Sequence, residues 1–486
     1  MTTPAGRQPL LTEGPIARTL LLFALPILGS TVLQSLNASV NAMWIGHYLG
    51  EAALSASSNA GLILFLLLSA VFGVGMACTI LVGQSLGARD VTEAKRVVGT
   101  GVVFFTAVSA LVAVGGFLGT PWMLRVLGTP ADAMPYAVAY LRIIFVAMPA
   151  MYFYNFLMMT LRGAGDSKTP FLFMAVSVLL DIGLNPVFMF GLGPFPALGI
   201  AGSAVATLIA QSATLLALLA TLYARRHFLW IGRGELRLFR PDWTILRALL
   251  FKGLPMGLQM IVISSSAIVM MRLVNAYGSQ SVAAYGAASQ LWIYVQMPAM
   301  AIGAAVSSMA AQNVGAGLWD RVGRIARAGV LYNFLLTGTL VGAIYLFNRG
   351  ALNLFLPGDG DALLLAQHLN AIVVWSFMCI GVTFVLFGVV RSTGAVWPPL
   401  AMLVVTMWFI RPPFAVLLQP SMGADAIWWS FPLGSAASVL LAAAYYRWGG
   451  WRRARMLAPA PSRPVPAAGQ DAPAGAVLEA APAPAD

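Results

Sequence analysis

The sequence predicts an all-α membrane protein with twelve transmembrane helices in two pseudo-symmetric six-helix lobes. Of its 486 residues, 59% are hydrophobic and only 9% are charged, and the mean hydropathy is +0.84. Soluble domains are far more polar. The apolar runs are long enough to cross a bilayer, which takes about 20 helical residues. The second half also repeats the first at an offset of about 228 residues, as from Gly50 to Gly278.

The twelve predicted spans divide evenly between the halves. Those of the first half are 18–46, 52–82, 97–118, 134–160, 170–191 and 198–223, and those of the second half are 248–276, 281–310, 326–348, 366–389, 398–419 and 426–447. The apolar run from Thr19 to Ile45 is much longer than the core of a secretory signal, so we expect it to remain in the mature protein.

The internal repeat covers a whole half rather than one short motif. At the 228-residue offset, Gly50, Gly75, Gln84, Gly87, Ala88 and Arg96 recur as Gly278, Gly303, Gln312, Gly315, Ala316 and Arg324. One residue further along, Pro26, Arg162, Gly165 and Pro170 recur as Pro255, Arg391, Gly394 and Pro399. Repeated halves of this apolar kind are typical of transporters, in which two helix bundles move about a site between them.

Basic residues predict the orientation and the domain organisation. They concentrate in the loops on one side of the predicted membrane, above all in the connection 224–247, so both termini are predicted to be cytoplasmic. The same bias explains the net charge of +12, which therefore does not indicate nucleic-acid binding. The predicted units are a cytoplasmic N-terminal segment 1–15, an N-lobe 16–224, a basic linker 225–247, a C-lobe 248–447 and a disordered cytoplasmic tail 448–486 rich in Ala and Pro.

Asp181 is the one acidic residue that lies deep in a predicted span. It comes about eleven residues into the fifth span, roughly 16 Å along a helix and close to the membrane midplane. Asn185 follows one turn later, and Pro186 leaves the carbonyl of Ile182 without its helical donor. Such a cluster can carry a proton or coordinate a small cation. The alternative is a structural carboxylate neutralised by Arg142 or another base within the membrane.

A polar stripe in the first span adds to this cluster. Its members lie four, three and four residues apart, within roughly 60° of the helix surface, and are Ser30, Gln34, Asn37 and Asn41. They face protein or water, although membrane amides also serve simply to join helices. Pro26 in the same span and its repeat mate Pro255 are predicted hinges.

These residues resemble the multidrug and toxic compound extrusion (MATE) transporters over about residues 16–447. The matching pieces are Leu25-Pro26, Val40-Asn41-Ala42-Met43-Trp44-Ile45-Gly46, Gly83-Gln84-Ser85-Leu86-Gly87-Ala88, Leu161-Arg162-Gly163-Ala164-Gly165-Asp166, Asp181-Ile182-Gly183-Leu184-Asn185-Pro186, Gly199-Ile200-Ala201-Gly202-Ser203-Ala204-Val205-Ala206-Thr207 and Val390-Arg391-Ser392-Thr393-Gly394.

The resemblance implies a two-lobe antiporter that exports bulky, often cationic organic compounds in exchange for inward H⁺ or Na⁺. It implies cation coupling at Asp181, Asn185, Asn41 and Thr207, with Na⁺ as an alternative to H⁺ at Asp181 and no other metal. It implies a substrate cavity at Gln34, Asn37, Tyr140 and Asn155. The expected partners are organic cations or drugs and membrane lipids. We expect no cofactor, a monomer, and a place in the bacterial cytoplasmic (inner) membrane.

The chain departs from the family pattern in its acidic residues. The Asn and Asp of the fifth span are exchanged here as Asp181 and Asn185, and Asn41 stands where many members carry Asp. The C-lobe lacks acids found in one bacterial branch, so the chain is more similar to the DinF-like branch. The repeat mate of Asp181 is Ile410, beside Arg411, so ion coupling is predicted in the N-lobe. Three roles for Arg411 stay open: snorkelling, a lipid phosphate partner, or a carboxylate across the cleft.

Two other functions fit the sequence less well. A flippase for a lipid-linked saccharide needs a more basic cleft, whereas only Arg142, Arg272 and Arg411 are available within spans. A membrane enzyme needs a nucleophile, a base or a set of metal ligands. The chain has three histidines, and none of them pairs with a nearby acidic residue at the spacing of metal ligands: His47, His227 and His368. Cys78 and Cys379 lie in spans at unmatched positions and suggest neither a disulfide nor a metal site.

Overall fold

The structure is a computed structural model that describes residues 11–356 and 360–457. Within these ranges there is no β-strand, and eleven single helices are long and apolar enough to cross a membrane. A twelfth span is formed by two shorter helices that meet at an angle of 45°. The predicted all-α membrane fold with twelve spans is therefore confirmed. Most of the predicted tail, 458–486, lies outside the described residues.

We number the spans α1 to α12 in chain order. The N-lobe contains α1 Ile16–Gly50, α2 Ala53–Gly87, α3 Val91–Val126, α4 Met134–Gly163, α5 Lys168–Phe190 and α6 Ile200–Ala224. The C-lobe contains α7 Trp243–Asn275, α8 Ser279–Gly315, α9 Trp319–Asn353, the bent α10 Asp361–Val373 with Ser376–Ser392, α11 Trp397–Met422 and α12 Asp425–Trp448. A 3₁₀ helix, Arg233–Phe239, lies in the linker.

The backbone itself repeats between the lobes. Gly50, between α1 and α2, has φ 83° and ψ −178°, and its mate Gly278, between α7 and α8, has φ 89° and ψ 176°. Gly165 and Gly394, two residues after the fourth and tenth spans, also have positive φ angles, of 90° and 101° respectively. Side chains other than glycine rarely adopt these angles, so the glycines that recur in the sequence mark the same chain reversals in both lobes.

The two lobes meet where α2 and α8 cross backbone to backbone. A methyl group on Gly87 would overlap the carbonyl of Gln312, and one on Gly315 would overlap the carbonyl of Gln84. The Gln312 amide donates to the carbonyl of Gly163 in the opposite lobe at 3.0 Å. We call this contact, formed by residues 84–87 and 312–315, the glycine crossing. It joins the lobes at the end of the bundle that carries the basic loops.

Both described chain ends lie at that same end of the bundle. The Leu11 amide donates to Gln312 Oε1 at 2.7 Å, and the Thr393 hydroxyl donates to the carbonyl of Trp451 at 2.8 Å. An even number of spans requires this arrangement. Hydrophobic clusters within the lobes include Tyr154 in the N-lobe and Trp428 in the C-lobe, both nearly fully buried, and a further cluster packs Leu20 and Phe23 of α1 with Ile302 of α8.

The linker is fixed to α3 by ion pairs. Lys95 Nζ lies 2.6 Å from Glu235 Oε2. The hydrogen bond from Lys95 lowers the pKa of Glu235 below its ordinary value, although burial acts in the opposite direction and raises it in part. Arg96 pairs with Asp242 at 3.4 Å. Asp242 also accepts the amide of Thr244 at 2.8 Å and so caps α7, which begins at Trp243, earlier than the predicted span at 248.

Three local features bear on the sequence analysis, and two of them, at His368 and in α11, differ from it. His368 Nε2 lies 3.0 Å from Asp425 Oδ1, so one histidine does pair with an acid, and both side chains are exposed. Cys78 and Cys379 are both free thiols. In α11, residues Val405–Ile410 form a π-helical turn. The two prolines that follow Arg411 cannot donate to the carbonyls one turn back, which explains the wider turn before them.

Candidate functional site

Asp181 lies at the centre of a polar cluster built by α1, α5 and α6. Its Oδ2 accepts hydrogen bonds from the amides of Asn37 at 2.8 Å and Asn41 at 3.0 Å. Its Oδ1 accepts one from the hydroxyl of Thr207 at 3.0 Å. Asn185 donates to Asn41 Oδ1 at 2.8 Å and to the Asp181 carbonyl at 3.0 Å. The four predicted coupling residues are thus brought together, and Asn37 joins them.

Helix packing explains why these side chains meet. The stripe on α1 faces α5 because Gly29 leaves room for the ring of Phe171. Gly202 of α6 likewise lies against the backbone of Phe188 in α5, a distance that no larger residue permits. Asp181 is only 4% exposed, so its carboxyl oxygens are satisfied by neutral donors of the protein rather than by bulk water.

No ion pair to Asp181 is present among the described residues. The guanidinium of Arg142 lies 5.2 Å from the ring centroid of Phe117 instead. A structural carboxylate neutralised by Arg142 is therefore the wrong description. Three neutral donors can stabilise an ionised carboxylate, yet they leave it able to gain a proton or bind a cation, because no fixed positive charge competes.

Asp181 opens onto a cavity of about 460 Å³ inside the N-lobe. Every predicted cavity residue lines it, as do three of the coupling residues: Gln34, Asn37, Tyr140, Asn155, Asn41, Asp181 and Thr207. The remaining wall is mostly apolar and includes Met151, Met159 and Met174. One buried carboxylate in a wall that is otherwise uncharged and largely apolar suits a compound with one positive charge and a large hydrophobic body.

Sequence reasoning missed four polar residues of this wall, Ser57, Tyr154, Ser177 and Gln211, and wrongly placed Ser30 among the residues that face it. Gln211 lines the cavity one turn after Thr207, and Ser177 lines it one turn before Asp181, so a search along the same helix faces would have found both. Ser30, in contrast, does not line the cavity. Its hydroxyl donates to the carbonyl of Pro26 at 2.9 Å, within the same helix.

The predicted hinges lie apart from the cavity. α1 continues through Pro26 without a non-helical residue, and its one break among the described residues is at Gly50. Pro255 is buried in α7 between Gly253 and Gly257, which lie against the backbone of α2. Motion at either proline stays a prediction.

Several oxygens around Asp181 have no donor. Asn37 Oδ1, Asn185 Oδ1 and Gln211 Oε1 are buried and make no hydrogen bond. Unsatisfied buried acceptors are rare in native structures and call for an explanation. No cluster of three or more His, Cys, Asp or Glu side chains that could hold a metal occurs in the described part of the chain.

Known proteins resemble this chain along most of its length. A family model described as MatE matches residues 26–187 and 255–417. The "Probable multidrug resistance protein YoeA" of Bacillus subtilis (strain 168) is 37% identical over 448 residues, which cover 91% of this chain and 96% of that protein. The "Probable multidrug resistance protein YpnP" of the same organism is 33% identical over 445 residues, covering 92% and 98%.

A solved structure supports the fold independently. It is described as an outward-facing conformation of a multidrug resistance MATE family transporter of the MOP superfamily. It aligns with a TM-score of 0.84 at 18% identity, over 92% of this chain and 98% of that one. At this low identity the likeness bears on the fold alone.

Proposed function

Because the chain belongs to the MatE family, whose members are transporters and not enzymes, we propose that it is a secondary active multidrug exporter that exchanges organic cations for H⁺. The observation that carries the proposal is the buried Asp181 at the wall of a largely apolar cavity. Its relatives named multidrug resistance proteins support the export of small molecules, and they do not favour the flippase alternative.

Exchange follows from the presence of a single carboxylate in the cavity. Ionised, Asp181 attracts an organic cation, whereas protonated it has no charge to offer. A proton that arrives at Asp181 therefore displaces the substrate, and a substrate that binds excludes the proton. Each ligand changes the equilibrium between conformations only through its different affinity for them. One titratable group shared by both ligands is enough for antiport.

Thr207 favours H⁺ as the coupling ion. It is the one hydroxyl among the three donors to the Asp181 carboxylate, and a hydroxyl can both donate and accept. When Oδ1 gains a proton, the Thr207 hydroxyl turns and accepts it across the same 3.0 Å, while Asn37 and Asn41 keep their bonds to Oδ2. The site then takes up a proton without moving a heavy atom.

Na⁺ is the second candidate, favoured by the unpaired oxygens of Asn37 and Asn185. Binding Na⁺ at the carboxylate, however, requires oxygens rather than N–H groups to face it. The amides of Asn37 and Asn41 would both have to turn and give up their bonds to Asp181. The proton requires fewer rearrangements, and for that reason we place H⁺ first.

The cavity also supports a broad substrate range. Its volume of about 460 Å³ lies within the roughly 300–1,000 Å³ of drug-sized sites. Methionine side chains are flexible and polarisable, so the three in the wall can adapt to ligands of different shape. Tyr140 and Gln34 add further polar groups to the wall. We therefore assign substrate contacts to Gln34, Asn37, Tyr140 and Asn155, and coupling to Asp181, Asn185, Asn41 and Thr207.

Efflux of ethidium from proteoliposomes tests the proposal. Wild type should export ethidium under an imposed pH gradient and not under an imposed Na⁺ gradient of equal size. Asp181→Asn keeps the volume but cannot ionise, so export should cease in either gradient. Asp132→Asn removes a carboxylate from an exposed loop and is the matched control. Undiminished export by Asp181→Asn would refute the assignment, and export driven by Na⁺ alone would select the second candidate.

The oligomeric state, the membrane, the orientation and the domain bounds are also proposals. We place the protein as a monomer among the lipids of a bacterial inner membrane, with the end that carries the glycine crossing in the cytoplasm. The units 1–15, 16–224, 225–247, 248–447 and 448–486 stay as proposed, with Pro26 and Pro255 as proposed hinges between states.

A further inference from the structure

The C-lobe contains a second cavity, of about 210 Å³, whose charge is opposite to that of the N-lobe cavity. Arg411 lines it and is 9% exposed. Within the described residues no carboxylate pairs with this guanidinium. One Nη donates to the weak acceptor Met407 Sδ at 3.1 Å, and Nε is buried without any partner. Of the three roles considered for Arg411, pairing with a carboxylate across the cleft is therefore not seen among the described residues.

The surroundings of Arg411 hold it in place without neutralising it. Its guanidinium lies over the ring of Phe431, 3.9 Å from the centroid. Gly434 on α12 leaves room for its stem, since a methyl group there would overlap Arg411 Cγ. The π-helical turn immediately before Arg411 changes the direction in which the following residues face. Leaving a buried guanidinium uncompensated is costly, so such a group calls for a ligand.

The rest of the wall matches an aromatic or apolar anion. The aromatic residues that line the cavity are Tyr285, Trp292, Phe377, Phe384 and Phe431. Gln296 also lines it, and its amide makes no hydrogen bond among the described residues. A guanidinium offers five N–H donors in a planar fork that fits carboxylate and phosphate oxygens. The aromatic faces can enclose the body of the same molecule.

We propose that the C-lobe cavity binds an organic anion, its carboxylate or phosphate oxygens paired with Arg411 and its apolar body enclosed by the aromatic wall. The same oxyanion chemistry could come from a soluble compound or from the headgroup of an anionic lipid. The site is distinct from the Asp181 cavity, because the two cavities share no lining residue and each is built from one lobe.

Equilibrium dialysis of the purified full-length protein in an uncharged detergent tests the proposal, with 2-naphthoate as the probe and neutral 2-naphthamide as its matched analogue. Wild type should bind the carboxylate at least about tenfold more tightly than the amide, which corresponds to one charge-assisted interaction. This comparison needs no variant. Arg411→Gln should bind both probes equally weakly, Arg411→Lys should retain a preference for the carboxylate, and Gly434→Ala should weaken it by displacing Arg411.

Arg142→Gln is the control, since it removes another guanidinium that lies over a phenyl ring but lines neither cavity. A second arm uses nanodiscs of phosphatidylcholine with or without phosphatidylglycerol. Displacement of naphthoate by phosphatidylglycerol in wild type identifies a lipid headgroup as the source, and retained naphthoate identifies a soluble anion. Equal binding of the two probes by wild type, in detergent and in both kinds of nanodisc, overturns the proposal. Ethidium export is not measured, so either result is independent of the Asp181 assignment.

Discussion

Adding one methyl group at Gly87 should shift the conformational equilibrium of the transporter. In the present structure Gly87 lies against the backbone carbonyl of Gln312, and the two lobes touch there. Both partners are helix backbone, which cannot give way as a flexible side chain can. We therefore expect Gly87→Ala to disfavour this conformation and to favour one in which the lobes are apart at the glycine crossing.

The expected size of the shift follows from the overlap. Forcing an extra methyl group into a packed interface costs typically about 1–3 kcal/mol. Alternating access relies on two states whose free energies differ by little, so the same cost changes their ratio by roughly 5–150-fold. A protein whose lobes are mostly in contact at the glycine crossing would then have them mostly apart there. Because export requires both states, it should fall by a similar factor.

Distances between spin labels measure the shift directly. Thr92 and Asp320 are exposed repeat mates in the first turns of α3 and α9, one in each lobe, and can be labelled after Cys78 and Cys379 are replaced by serine. Wild type should give mainly the shorter distance, and Gly87→Ala should give mainly the longer one, by double electron–electron resonance in nanodiscs.

Two further variants make the test specific. Gly315→Ala overlaps the carbonyl of Gln84 and should reproduce the shift, because the crossing is pseudo-symmetric. Gly115→Ala places the same methyl group where nothing lies within 4 Å and should change neither distance nor export. An unchanged distance distribution with normal export would refute the reasoning. So would a lowered melting temperature without any change in distance, since that outcome indicates lost packing rather than a shifted equilibrium.

Three other outcomes are expected. Thr207→Val should lower pH-driven export about fivefold through loss of a hydrogen bond worth about 1 kcal/mol, and Thr207→Ser should restore it in the same liposomes. Asn41→Asp puts a second carboxylate within reach of Asp181. Because two neighbouring carboxylates repel when both are ionised, one proton stays bound to the pair up to a higher pH, and the pH of half-maximal export should rise. An unchanged pH dependence of export would contradict this. Lys95→Ala should lower thermal stability at pH 7 by about 1 kcal/mol or less. That difference should vanish as the pH falls through the lowered pKa of Glu235, because the carboxylate is then protonated and the ion pair is lost in wild type as well.

Sequence reasoning was most effective where one physical requirement determines residue type. A span must be long and apolar, so the twelve spans could be predicted from the sequence. Glycine is favoured where φ is positive, and the recurrence of Gly50 as Gly278 in the sequence agrees with the paired reversals at these residues. Helical spacing likewise placed Asn37 and Asn41 on one face, and both bond to Asp181.

Other features depend on contacts between distant parts of the chain. No spacing indicates that Gln312 of α8 meets Gly87 of α2, or that Lys95 meets Glu235 of the linker. The π-helical turn in α11 could not be predicted either. Prolines signal that a helix is disturbed, yet whether it kinks, breaks or widens depends on the helices packed around it. The same limit applies to Arg411, whose lack of a partner is visible only once the C-lobe is assembled.

The repeat shows why two lobes of one backbone plan can perform different tasks. The glycines at the chain reversals recur because both lobes must fold and cross in the same way. The residues that face the cavities are free of that requirement, and there the charges are opposite: Asp181 in α5, and Arg411 in α11 next to the repeat mate of Asp181. On the two proposals above, a cation suits the first cavity and an anion the second. Selectivity for charge would then belong to each lobe separately, whereas the proposed conformational change, which depends on the shared backbone contact, would belong to both.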